Sequence, residues 1–158
     1  MATIIVEDGS IVANANSYVS EAELTTFATD RGITLTGATD ELIIKAMDYI
    51  ETRCFKGLKF TQNQALQWPR ADVYIDGYYV STTTIPQDLK NAQMQTCLSI
   101  DAGNSPDAVI EPKTTREKVD VIEVWYSEGS TSNNIDPKIN NYLRKLICSG
   151  SGLRAHKA

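Results

Sequence analysis

The chain has 158 residues, a hydrophobic content of 42% and a formal net charge of −5, with a pI of about 4.9. This length predicts one domain that buries about 70% of its unfolded surface, so the core needs neither disulfides nor a metal ion. The acidic balance excludes the basic surface expected for duplex DNA or an anionic membrane. No apolar run approaches the ~20 residues of a membrane span.

The N-terminal residues lack the basic start of a signal peptide, so we expect a protein made and kept in the cytoplasm, or in an assembly formed there. The β-branched run Thr3–Val6, followed by a turn at Asp8–Gly9, predicts a strand or arm within residues 1–13. Ser20 and Glu23 have the spacing of a capping box, which predicts a helix that ends near Gly32.

Three further helices are predicted from apolar periodicity and end signals. The second is capped by Thr39 or Asp40 and runs to about Lys56, before Gly57, with apolar residues on one face. The third has Pro86 at its first position and ends at Gly103. The last opens at Asp136–Pro137 and ends near Gly150.

The rest of the chain is irregular or extended. Residues 58–84 form a long central loop, in which a turn at Asp76–Gly77 predicts a short β-hairpin. Residues 109–126 alternate well enough to predict a second hairpin, and 149–158 are expected to form a flexible tail. The predicted fold class is α+β, mainly α: one domain over 1–148, with a bundle of three to four helices, a long central loop and a short β-hairpin.

The cysteines are odd in number and far apart, and no two form a CxxC pair: Cys54, Cys97 and Cys148. Each lies within a helix-like pattern, which favours small hydrophobic residues of the core. A reactive thiol or a disulfide is the alternative interpretation.

Catalytic constellations are absent from the sequence. The single histidine, His156, lies near the end of the chain, and no glycine-rich phosphate-binding loop is present. Asp48 and Glu51 have a spacing that brings them to one helix face, but that face is expected to be solvated. We therefore predict no enzyme activity, no catalytic residue, no metal site and no cofactor.

The central loop concentrates aromatic residues around one arginine, a composition that can stack nucleic-acid bases and hold a phosphate. The residues concerned are Trp68, Arg70, Tyr74, Tyr78 and Tyr79. Arg70 is the only basic residue between Thr61 and Thr84, with two aspartates nearby, whereas backbone binding needs several cations. This balance favours a loop that packs on its own helices or on a neighbouring subunit.

Four segments, in this order, resemble the head–tail connector (adaptor) proteins of tailed bacteriophages: Asn16–Ser20, Ala65–Arg70, Ile85–Pro86 and Lys118–Tyr126. In the last segment, Asp120 stands where glycine is usual in the family. The N-terminal segment Thr3–Val12 has no counterpart in this pattern. Similar sequences are also catalogued as putative DnaT-like single-stranded-DNA-binding proteins.

The connector resemblance implies a structural virion protein, assembled in the host cytoplasm. It would form a ring, typically of twelve copies, under the portal at the head–tail interface and dock the tail or next connector. DNA would pass through its channel without specific binding. A single-stranded-DNA-binding accessory protein is the alternative function.

Two sets of interface residues follow from this interpretation. Exposed aromatics and an arginine are typical anchors of a subunit or partner interface, here Trp68, Pro69, Arg70, Tyr74, Tyr78, Tyr79, Trp125 and Tyr126. The tail is expected to dock on the portal through Leu153, Arg154, His156 and Lys157.

Overall fold

The structure is a computed structural model and describes residues 2–104 and 136–148. The predicted hairpin at 109–126 with Trp125 and Tyr126, and the tail at 149–158, lie outside these described residues, as do the proposed docking residues Leu153, Arg154, His156 and Lys157. Four helices and two small antiparallel hairpins are present in the described part, which confirms the predicted α+β, mainly α fold class. None of these helices combines the length and apolar character needed to cross a bilayer.

The first two helices are α1 (Glu21–Thr29) and α2 (Thr39–Glu51). The predicted capping box is confirmed: Glu23 N–H donates to Ser20 Oγ at 3.2 Å, and Ser20 N–H donates to the Glu23 carboxylate at 2.7 Å. The cap predicted for α2 is wrong, because Ala38 is its N-cap and makes no side-chain cap. The Asp40 carboxylate instead accepts from Ala2 N–H at 2.6 Å, which ties the N-terminal segment to this helix.

Helix α2 ends at Glu51, short of the predicted Lys56, because the following residues pair with the C-terminal part of the described chain. Lys56 N–H donates to Leu146 O at 2.9 Å, and Cys148 N–H donates to Cys54 O at 2.7 Å. A disulfide joins Cys54 to Cys148. The interpretation of these two cysteines as separate core hydrophobes is therefore wrong, whereas Cys97 is buried as predicted.

The last two described helices are α3 (Gln87–Asp101) and α4 (Pro137–Leu143). Pro86 is the N-cap of α3, so the helix begins one residue later than the sequence predicted. In α4 the Asp136 carboxylate caps the helix by accepting from Lys138 N–H at 2.9 Å. Helix α3 is the central element, because it contacts each of the other three described helices, α2 and α4 most extensively.

The N-terminal segment does not form the predicted strand. Its β-pairing is limited to an isolated bridge between Val6 and Ser17. The buried carboxylate of Glu7 causes the chain to fold back, because it accepts from the N–H groups of Gly9, Ile11 and Val12 at 2.8–3.0 Å. These local bonds compete with a regular ladder.

The central residues contain two hairpins. Strand β1 (Leu58–Lys59) pairs with β2 (Arg70–Ala71), and β3 (Tyr74–Ile75) pairs with β4 (Tyr78–Tyr79). The second hairpin is the one predicted from the sequence. Its turn has positive φ at both Asp76 (52°) and Gly77 (87°), as the tightest hairpin turns require. The first pairing had no such signal, because a long loop separates its two strands.

Candidate nucleic-acid interface

Trp68 lies at the centre of the main hydrophobic cluster and has no exposed surface. Its ring meets the edge of Phe55 with centroids 6.2 Å apart, and the Trp68–Pro69 peptide bond is cis. The main-chain N–H of Trp68 donates to the hydroxyl of Tyr18 at 3.2 Å. The tryptophan and the proline after it are therefore part of the interior of the fold.

Glu51, at the end of α2, holds the main chain just before Trp68. One carboxylate oxygen accepts from the Tyr18 hydroxyl, and the other accepts from Gln67 N–H at 2.8 Å. Burial raises the pKa of Glu51, and it raises the pKa of Tyr18 as well, with the neighbouring carboxylate adding to that effect. The prediction that Glu51 belongs to a solvated helix face is wrong, because the loop folds over it.

Arg70 is also buried, with 7% of its surface exposed. Its guanidinium donates to the carbonyl oxygens of Phe55 (3.2 Å), Lys56 (2.7 Å) and Gly57 (2.8 Å), and to the Gln67 side chain at 2.9 Å. These carbonyls follow the end of α2, and a planar fork of donors can satisfy several of them at once.

Arg70 therefore satisfies main-chain carbonyls of its own chain. Trp68, Pro69 and Arg70 are all buried, so the structure does not present them as a surface for another subunit. The residues that match the resemblance most visibly support the fold.

The tyrosines of the second hairpin are placed in the opposite way. We call residues 74–79 the tyrosine hairpin. Tyr74, Tyr78 and Tyr79 are 61%, 80% and 53% exposed. Tyr74 and Tyr79 are direct partners across the ladder, so they share one side of the hairpin, and their rings meet edge to face at 5.6 Å. The hairpin thus presents aromatic surface to solvent on a short, paired scaffold.

Further exposed apolar side chains occur in and beside the first hairpin. Six large hydrophobic side chains are exposed in the described residues, and five of them belong to residues 58–79. The two beyond the tyrosines are Leu58 and Phe60, at 66% and 45% exposure. Such a concentration on one short stretch is typical of a binding surface, because isolated exposed hydrophobics are scattered.

A lysine from a distant part of the chain reaches the turn of the tyrosine hairpin. Lys145 Nζ lies 2.6 Å from a carboxylate oxygen of Asp76, in the turn itself. Lys56 Nζ in turn donates to the carbonyl of Lys145 at 2.9 Å. The local count of charges missed Lys145, because this residue is 69 positions away from Asp76 in the chain and only the fold brings the two together.

The arrangement can stack planar groups and hold an anion beside them. Within the described residues, no group of histidine, cysteine, aspartate or glutamate side chains is placed to bind a metal ion.

No curated protein and no solved structure matches the chain. The family model that does match is described as "Putative DnaT-like ssDNA binding protein". This finding corrects the interpretation of the chain as a bacteriophage virion protein of the head–tail connector type: it gives no support to a portal-bound ring. The match covers residues 2–158, and the chain therefore belongs to the DnaT-like single-stranded-DNA-binding family.

Proposed function

We propose that the protein binds single-stranded DNA through the tyrosine hairpin. The observation that carries the proposal is the exposure of Tyr74, Tyr78 and Tyr79 on a paired hairpin, in a chain whose family is described by single-stranded-DNA binding. Every base has a flat π-face, so stacking on tyrosine rings gives affinity without sequence preference.

The hairpin is suited to stacking for a physical reason. Cross-strand pairing already fixes the positions of Tyr74 and Tyr79. Little additional conformational entropy is therefore lost when a base stacks on them. Tyr78 pairs with Ile75, which packs against the core, yet its own ring is 80% exposed. The ring of Tyr78 therefore lies outside the hydrophobic core and offers a further platform.

A phosphate contact is available from the lysine beside the hairpin. Lys145 is held at the turn by Asp76, with its side chain 40% exposed, so it can exchange this partner for a phosphate oxygen. Few cations and a net charge of −5 predict weak binding with a shallow salt dependence, because the slope follows the number of phosphates that the protein neutralises. The residue inventory suits a binding protein that acts without catalysis.

The test is fluorescence anisotropy of a labelled oligothymidine at low salt, with wild-type protein and the Tyr78→Ala variant. Stacking contributes ~1–3 kcal/mol per base, so the variant should bind about 5- to 150-fold more weakly. Ile33→Ala is the matched control, because among the described residues Ile33 is the exposed large hydrophobic outside residues 58–79. The proposal fails if the wild type does not bind, or if the control variant loses as much affinity as Tyr78→Ala.

A further inference from the structure

Two segments far apart in sequence are joined by both covalent and hydrogen bonds. We call residues 54–57 and 145–148 together the clamp. The Cys54–Cys148 disulfide spans a sequence separation of 94 residues. Beside it, two main-chain hydrogen bonds form the antiparallel bridge between Phe55 and Ile147, and Lys56 Nζ donates to the carbonyl of Lys145.

One side of the clamp fixes the strand that leads into the tyrosine hairpin. The Arg70 guanidinium binds three successive carbonyls of the clamp, at residues 55, 56 and 57. Arg70 is the first residue of β2, and β3 begins at Tyr74 shortly after it. A shift of residues 54–57 therefore moves the acceptors that position the start of this hairpin.

The other side of the clamp supplies the cation at the hairpin turn. Lys145 reaches Asp76 at 2.6 Å, while Cys148, in the same segment, is held by the disulfide and by its N–H bond to Cys54 O. Opening the clamp would release the segment that carries Lys145. The ion pair at the hairpin turn and the Arg70 contacts just before the hairpin thus both involve one disulfide-bonded unit, in addition to the packing of Ile75 against the core.

The disulfide is accessible and chemically distinct from the third cysteine. Cys54 is an exposed residue, so a reductant in solution can approach it. Cys97 is buried in a hydrophobic cluster to which α1, α2 and α3 contribute. Burial raises the pKa of its thiol to about 12. Because thiol–disulfide exchange requires a thiolate, Cys97 does not compete for the exchange.

We propose that the Cys54–Cys148 pair is a redox-responsive clamp that sets the affinity of the tyrosine hairpin for single-stranded DNA. The inference rests on the proposed function above. A dithiol reductant donates two electrons. Its thiolate attacks one sulfur of the protein disulfide and releases the other cysteine as a thiolate; its second thiolate then attacks the reductant sulfur of the mixed disulfide and displaces the remaining cysteine thiolate, and both cysteines take up protons. The products are two cysteine thiols and the oxidised, disulfide form of the reductant. Oxidation of the pair by a disulfide reverses the exchange.

The experiment compares oxidised wild-type protein with the same protein reduced by dithiothreitol, using oligothymidine anisotropy and a count of free thiols. Reduction should weaken binding by about fivefold, because a smaller fraction of molecules holds the hairpin in its binding geometry. The double variant C54S/C148S should behave like reduced wild type in both conditions. The Cys97→Ser variant, which keeps the clamp, should respond to the reductant as wild type does.

Hydrogen exchange gives a readout that does not depend on DNA. Reduction should speed exchange of the amides of Lys56 and Cys148 and of the tyrosine hairpin. Equal affinity and equal hairpin exchange in the two states, with thiols verified, would overturn the clamp. If oxidised protein binds no oligothymidine, the proposed function falls. In that case the control of DNA affinity falls with it, while faster hairpin exchange on reduction would still show that the disulfide holds the hairpin, and unchanged exchange would reject that coupling too.

Discussion

Two neighbouring aromatic stretches of the central loop have opposite places in the fold. Trp68 and the residues that follow it lie inside the protein, whereas the tyrosine hairpin lies on the surface, although both combine aromatics with a nearby charge. Trp68 has no exposed surface, and Tyr78 is 80% exposed. Composition alone therefore does not separate a structural aromatic segment from a binding one.

Hydrogen-bond demand explains the difference. The chain leaves helix geometry after Glu51, and the carbonyls of residues 55–57 then need donors, which Arg70 provides from the interior. In the tyrosine hairpin, main-chain N–H and carbonyl groups bond to each other across the two strands. The flanking Val80 N–H donates to Val73 O at 2.9 Å. Its side chains are thereby left for other partners.

Trp68→Ala should produce the largest loss of stability. Without such a loss, the contrast between a buried Trp68 and an exposed tyrosine hairpin would fail. Removing a fully buried large aromatic costs ~3–5 kcal/mol, from lost burial and the cavity that remains. Thermal or urea unfolding measures this loss. Tyr78→Ala is the matched variant, and its unfolding free energy should equal that of wild type. A stable Trp68→Ala protein would show that the tryptophan is not a core residue.

Arg70→Lys should destabilise the protein by ~2 kcal/mol, because an ammonium group cannot bind the three carbonyls as a planar fork does. The variant keeps the positive charge, so a role in phosphate binding would survive the change. We expect a lower unfolding midpoint in urea. Intact stability would instead show that the guanidinium bonds to these carbonyls do not support the fold.

Tyr74→Ala should leave stability nearly unchanged and weaken oligothymidine binding by ~1–3 kcal/mol, since it removes one stacking ring and the edge-to-face partner of Tyr79. Tyr74→Phe keeps the ring and should retain most of the affinity in anisotropy titrations. Equal loss in both variants would point to the hydroxyl rather than to stacking.

Asp76→Asn should have the smallest effect and the opposite sign. The carboxylate competes with phosphate for Lys145, and an exposed ion pair is worth ~0.2–1 kcal/mol, so its removal should strengthen binding up to about fivefold. Asparagine before glycine keeps the positive-φ turn, so the hairpin should persist. Weaker binding at low salt would show that Asp76 itself contributes to recognition.

The sequence predicted the elements whose signals are local. The Ser20–Glu23 capping box, the Asp76–Gly77 hairpin and the span of α3 follow from residues close together in the chain. The early end of α2 did not, because it depends on pairing with residues 146–148.

The candidate site shows the same limit. The tyrosines could be selected from the sequence, since their density in one loop was visible. The sequence could not show that Arg70 is buried while the tyrosines are exposed, because the acceptors of Arg70 come from residues 55–57. Lys145 at the turn was equally hidden, because it follows α4 and is 69 residues away from Asp76 in the chain. Long-range packing, which local propensity does not encode, decided both cases.

The most direct test of the central claim is photochemical cross-linking of single-stranded DNA that carries a halogenated deoxyuridine, followed by mass spectrometry of the linked peptide. Stacking brings the base against the ring, so the adducts should map to Tyr74, Tyr78 or Tyr79. They should disappear when the three tyrosines are replaced by alanine. Adducts at other residues that persist in this triple variant would contradict the account.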